Sequence, residues 1–308
     1  MRLRLVELVF DAQLQGQGVL PAFRGTTLRG AFGFSLKHVV CHVSHHQCDK
    51  CILRTRCAYP VIFEGMPPDE RTFMRRYPYV PQPFVLDVES AAPTRVEPGQ
   101  PLSFGLRLFG PAADLFPFAV YAVLRMGEAG LGRDRIPFKL RAVSDGQRTI
   151  YEHGDHGIRP PQVRRLAIDP TSAPAMRIRL RLATPLRMRV DGRLAMDLAA
   201  RDIVRALLRR YRILTHFYGE SESACDSASL LEQAEATTVS ERHLVWQEIP
   251  RFSSRQFEHM SLGGLVGHLV LDLPPGQLGS WLRLAESIHL GKATSFGLGR
   301  VVYEELPR

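Results

Sequence analysis

No apolar run in the sequence approaches the roughly 18 residues that a bilayer-spanning helix needs, which excludes a helical membrane protein as a reading of this chain. A secretory signal pattern is missing as well. MRLRLVELVFDA alternates like a strand and soon meets Glu7 and Asp11, so a cytoplasmic location with reduced thiols and no membrane partner is expected. Helix-turn-helix and zinc-finger spacings are absent too, which weakens a DNA-binding reading. Acid is short relative to base: 31 Asp+Glu face 40 Lys+Arg, giving a formal net charge of +9. That balance favours polyanionic partners, because cations that neutralise phosphates release condensed counterions. Cysteine is scarce, with five in 308 residues, yet four of them fall within 17 positions. In a reducing compartment such clustering points to metal rather than disulfides.

The hydrophobic pattern then orders the chain. Arg2–Asp11 alternates basic and apolar residues and reads as a strand, and a helix follows from Thr26 to Val40 with Leu28, Phe32, Leu36 and Val39 on one stripe. Strand-like runs cover 84–89 and 102–109, and a helix covers 116–126. A Pro- and Gly-bearing stretch over 153–175 reads as a linker. The pattern then restarts: Met176–Leu182 alternates Arg177, Arg179 and Arg181 with apolar residues, a long helix runs over 197–218, paired strands cover 243–249 and 265–273, and a helix (276–288) precedes a last strand (298–304). That order is βαββαβ. The expected fold is therefore α+β, with two tandem ferredoxin-like, RRM-like domains over 1–165 and 170–308 and a cysteine-rich insertion (41–57) in the first.

Cys41, Cys48, Cys51 and Cys57 are spaced C-x6-C-x2-C-x5-C. A C-x2-C pair places two thiolates on one tight turn, as tetrahedral zinc requires, so a structural zinc site is expected; an iron–sulfur cluster fits less well because the compact ferredoxin run is missing. Between the last helix and strand lies IHLGKATSFGLGRVV, with Gly291, Gly297 and Gly299 beside Lys292 and Arg300. Glycines there allow close backbone approach, and successive N–H groups can cradle a phosphate; a tight connection alone would look the same.

This segment resembles the C-terminal glycine-rich motif of the RAMP superfamily of CRISPR systems. Three further stretches, in matching order, resemble its precursor-RNA endoribonucleases: Phe23-Arg24-Gly25 with Leu28-Arg29-Gly30-Ala31-Phe32-Gly33; the cysteine cluster ending Cys57-Ala58-Tyr59-Pro60; and Phe252-Ser253-Ser254-Arg255-Gln256 ahead of Gly263-Gly264-Leu265-Val266-Gly267. The resemblance implies two ferredoxin-like domains that bind a CRISPR repeat hairpin. It also implies metal-independent cleavage of precursor crRNA by 2′-OH attack, leaving a 2′,3′-cyclic phosphate and a 5′-OH. The alternative is a non-catalytic RAMP subunit that binds RNA beside other subunits of an effector complex.

Such a reaction needs a base, an acid and a cation near the phosphorane. The resemblance places a histidine on or just after the first helix, where His38, His42, His45 and His46 are available, and His38 is favoured because the helix holds it rigidly. A border histidine satisfied by a local hydrogen bond is the competing reading. His42, His45 and His46 flank cysteines and read as loop residues or alternative metal ligands. Lys37 points about 100° away from His38 and reads as solvated or phosphate-facing, whereas Lys292 is the candidate phosphate-stabilising cation. His289 could be a second active-site histidine, but packing beneath the loop is the favoured reading. Arg205, Arg209, Arg212 and His216 form a basic helical stripe, for which a solvated face is the favoured reading. RNA contacts are expected at Arg24, Arg29, Lys37, Arg251, Ser253, Arg255, Gly291, Gly297, Gly299 and Arg300, and metal at Cys41, Cys48, Cys51 and Cys57.

Overall fold

The structure is a computed structural model that describes all residues except 1–2, 44–46, 67–72, 76, 90, 93, 170, 221–224, 254–257 and 308, with backbone alone described over 250–253 and 258–260. Contacts divide the chain into two units, one of residues 2–165 and 214–220, the other of 166–213 and 221–308. No helix among the described residues is long and apolar enough to cross a membrane.

The first unit is built on β1 (Leu3–Leu14), α1 (Gly25–Val40), β2 (Phe84–Asp87), β3 (Pro101–Phe109), α2 (Phe116–Ala129), β4 (Phe138–Ser144), β5 (Thr149–Glu152) and β6 (Val163–Leu166). Its sheet runs β2-β3-β1-β4-β5, with β6 also paired to β1. The first four strands of that order, with α1 and α2 as crossovers, are a ferredoxin-like unit. β4, which the sequence pattern leaves uncertain, closes it beside β1, with Phe10 opposite Val143. Part of the stretch expected as a linker (153–175) is the strand β6. Its Val163–Leu166 run has only Leu166 buried, so it carries little hydrophobic alternation by which to be read.

Burial explains why these segments hold. Leu5, Leu8, Phe10 and Leu14 of β1 are fully buried, and α1 lays Leu28, Phe32 and Leu36 on the core. Each such side chain contributes about 1.5–3 kcal/mol on leaving water. The polar side of the sheet is ion-paired: Arg107 lies 3.1 Å from Glu7 and 2.6 Å from Asp87, and Arg164 lies 3.3 Å from Glu7.

The second unit contains β7 (Met176–Leu186), α3 (Ala200–Tyr218, its last residues counted with the first unit), α4 (Ser227–Glu235), β8 (Thr238–Gln247), a hairpin of β9 (Pro250–Ser253) and β10 (Glu258–Ser261), β11 (Gly264–Leu273), α5 (Leu278–Ile288) and β12 (Val301–Leu306). The sheet order β8-β11-β7-β12 is again ferredoxin-like. Arg177, Arg179 and Arg181 alternate along β7 with buried Ile178, Leu180 and Leu182, so one sheet face is core and the other is open. On the core side Tyr211 of α3 meets Trp281 of α5 edge-on at 4.8 Å. Buried Arg210 donates from Nε to the Ile288 carbonyl (3.2 Å), satisfying the C-terminal end of α5.

Candidate functional site

In the first unit the site is built on α1. Gly33 is there because there is no room for more: a Cβ would come within 2.2 Å of the Phe63 ring. That ring belongs to an aromatic stack of Tyr59, Phe63, Phe84 and Phe32, which ties the segment after the cysteines to α1 and β2. Two basic residues expected to meet RNA lie on this stack. The Arg29 guanidinium is 4.4 Å from the Phe63 centroid and the Lys37 ammonium 5.2 Å from that of Tyr59. Lys37 is therefore half-buried on an aromatic ring rather than solvated. Arg24, at the N-terminus of α1, lines a small polar cleft with Glu89 and Ser103; burial lowers its pKa, and the Glu89 carboxylate opposes that shift.

His38 is exposed on α1, one turn after Phe34, and the two rings lie nearly parallel (6.3 Å between centroids, 7° between planes). Phe34 is 70% exposed, so a flat aromatic face beside an imidazole is open to solvent. Sequence reasoning passed over Phe34, although its i, i+4 spacing to His38 was the available signal.

After α1, Cys41, Cys48, Cys51 and Cys57 line one cleft with His42, Tyr59 and Pro60. All four thiols are half-buried, and burial pushes those of Cys48 and Cys57 up. The Cys51 amide donates to the Cys48 carbonyl (3.3 Å), which is the tight turn the C-x2-C spacing implies. Among the described residues, the one group of three or more Cys, His, Asp or Glu whose ligand atoms lie within 4.8 Å of one another is elsewhere, at Glu241, His243 and His268. The four sulfurs are thus gathered around one cleft but not drawn to that spacing. His45 and His46 lie outside the described residues.

In the second unit the glycine-rich segment follows α5. Its amides are spent on its own architecture: Lys292 N–H donates to the Arg187 carbonyl (2.8 Å), Gly297 N–H to Thr294 (2.9 Å), Gly299 N–H to Pro185 (3.0 Å) and Arg300 N–H to the Thr184 hydroxyl (2.9 Å). That hydroxyl in turn donates to the Gly297 carbonyl (2.7 Å). Gly291 and Gly299 have φ of +74° and +70°, and a Cβ at Gly299 would lie 1.8 Å from the Leu290 carbonyl oxygen. The expected cradle of backbone N–H groups is therefore occupied from within at these four positions, and the glycines serve a compact crossing of chain. His289 is fully buried beneath it.

What this loop presents outward is charge. Lys292 is exposed, and its pKa is lowered by burial first and then by the cations Arg189, Arg187 and Arg209. Arg187 also donates to the carbonyl of Gly263 (2.8 Å), the residue just before β11, which anchors it there. Arg187 and Arg189 were missed in the sequence because they stand just past β7, where no periodicity links them to Lys292. Arg209 belongs to the exposed stripe of Arg205, Arg209, Arg212 and His216 on α3. Arg251 and Ser253 lie on β9, paired with β10, while Arg255 lies outside the described residues.

Comparison with known proteins adds the family context. Residues 3–163 match the family AF_1859_N, described as an N-terminal domain, and residues 180–301 match that of the CRISPR-associated endoribonuclease Cas6. No curated protein matches. Among solved structures, the Cas6 protein TTHB231 of Thermus thermophilus, in a product complex, is 17% identical with a TM-score of 0.55, over 98% of this chain and 100% of that one. A product complex of the Cas6 protein TTHA0078 is 22% identical with a TM-score of 0.52, over 99% and 100%. A partial Cas6-RT-Cas1–Cas2 complex is 14% identical with a TM-score of 0.58, over 99% of this chain but 47% of the longer one. At such identities the likeness to the structures is one of fold.

Proposed function

This chain carries the AF_1859-type N-terminal domain and belongs to the Cas6 family of CRISPR-associated endoribonucleases, and we propose that it cleaves precursor crRNA within the repeat by a metal-independent transesterification. The observation that carries the chemistry is His38, an imidazole open to solvent yet oriented by the Phe34 ring on a packed helix. The 2′-OH of the nucleotide before the scissile bond attacks the adjacent phosphorus. Its proton passes to a base, the P–O5′ bond breaks, and the leaving O5′ takes up a proton. His38 serves one of these proton transfers. Lys292, with Arg187, Arg189 and Arg209 around it, supplies positive charge to the RNA phosphates. The products are a 2′,3′-cyclic phosphate and a 5′-OH.

The same reading gives the four cysteines a structural zinc ion, supported by their shared cleft and by the Cys48–Cys51 turn. Closing on the ion draws the sulfurs inward and fixes the segment that carries Tyr59 against Lys37. No step of the cleavage runs through this metal. A repeat RNA with a single 2′-deoxy nucleotide before the scissile phosphate tests the mechanism. It should bind like the unmodified RNA and remain intact, and cleavage of the deoxy substrate would overturn the 2′-OH attack.

A further inference from the structure

We propose that Glu241, His243 and His268 form a second metal site, for one divalent transition-metal ion of the zinc class, on the open face of the second sheet. His243 on the edge strand β8 is directly opposite His268 on β11. Their rings are 4.8 Å apart between centroids and tilted by 39°. Glu241, two residues before His243 and so on the same face, brings a carboxylate oxygen to 3.9 Å from His268 Nε2. An irregularity of register between Val239 and Glu241 makes this possible. Val239 is opposite Leu271, which pairs with the core residue Ile178 of β7, while Glu241 is opposite Val270, which pairs with Arg179 on the arginine-bearing face.

The donor set decides the class of ion. Two imidazole nitrogens and one carboxylate oxygen suit zinc and its neighbours, whereas calcium and magnesium take oxygen alone. Ligand atoms bound tetrahedrally at about 2.1 Å stand about 3.4 Å apart. The three atoms already lie within 4.8 Å of one another, so each moves by less than about 1 Å to bind. Glu241 and His243 are exposed, so no packing resists that adjustment, and the strand pairing has already brought the two imidazoles together. Arg181, opposite His268 on β7, opposes the ion by its charge and limits the affinity. With three protein ligands the ion keeps at least one position for water or an anionic oxygen, and it ties the edge strand β8 to its neighbour.

The test counts zinc bound to the 308-residue chain by equilibrium dialysis and mass spectrometry. His243→Ala and His268→Ala are compared with wild type, and Arg242→Ala, on the other face of β8, is the control. Each histidine variant should bind one equivalent about 10- to 100-fold more weakly, no less than the loss of an outer-shell partner costs. The control should match wild type. A Cys48→Ser/Cys51→Ser variant should keep this equivalent, which separates it from the cysteine cluster. If that variant does not fold, cobalt spectra of the wild type serve instead, because this site adds ligand-field bands without thiolate charge transfer. Equal zinc counts and affinities in wild type and both histidine variants would overturn the proposal.

Discussion

Replacing Gly299 by alanine separates the two explanations of the glycine-rich segment, and Gly192 supplies the reference. Both glycines have positive φ, +70° and +80°, but a Cβ at Gly192 meets nothing within 4 Å, whereas at Gly299 it lies 1.8 Å from the Leu290 carbonyl oxygen. Gly192→Ala should therefore cost only the left-handed backbone penalty, about 1–2 kcal/mol. Gly299→Ala adds the forced displacement of a packed neighbour, about 1–3 kcal/mol. It also strains the bonds from Leu290 N–H to Gly299 O (2.8 Å) and from Gly299 N–H to Pro185 O (3.0 Å), each worth about 1 kcal/mol. The total for Gly299→Ala is about 4–7 kcal/mol, and the gap between the two variants about 3–5. Denaturant unfolding followed by tryptophan fluorescence reads this in the right place, because both tryptophans, Trp246 and Trp281, belong to the second unit. A Gly299→Ala protein as stable as Gly192→Ala, yet unable to bind RNA, would show that the glycine exists for the ligand and refute the architectural reading.

Other outcomes follow from the same structure. Lys292→Ala should slow cleavage, weaken RNA binding and reduce the magnitude of the salt slope of log K by about 0.7–0.9, the share of one phosphate contact; an unchanged slope in salt titrations removes Lys292 from the interface. Phe34→Ala should leave thermal stability nearly unchanged, since the ring is 70% exposed, but lower the cleavage rate by loosening His38, and equal rates would show that the ring has no positioning role. Asp145 is held at about 2 because three backbone N–H groups and Arg148 outweigh the burial that acts against its charge. Its folded pKa is thus below the unfolded value, so its stabilisation is complete above about 4 and is lost as pH falls toward 2. Asp145→Asn should remove that part of the pH dependence in acid denaturation curves.

How much of this was legible beforehand depends on whether a feature is local. The α1 stripe of Leu28, Phe32 and Leu36 and the alternation of arginines along β7 are periodic in the chain, and both appear where periodicity puts them. β6 escaped notice because it pairs with β1 without an apolar face of its own, and α4 because nine residues at a domain surface leave little pattern. Among site residues, His38 could be singled out from the helix that carries it. The cluster of Arg187, Arg189 and Arg209 around Lys292 could not, since three separate segments converge there. Between a phosphate cradle and a tight connection at Gly297 and Gly299 the sequence could not choose, because the internal use of the amides depends on partners such as Thr184 and Pro185 more than 100 residues away.

The central claim is tested most directly by incubating wild type and His38→Ala with the cognate repeat RNA in EDTA, measuring binding and single-turnover cleavage together. Wild type should cut in chelator, while His38→Ala should bind with an unchanged Kd and cleave about 10²- to 10⁴-fold more slowly, as loss of a proton-transfer group requires. Cleavage by His38→Ala at the wild-type rate, or wild type that holds its RNA intact in EDTA, would contradict the account.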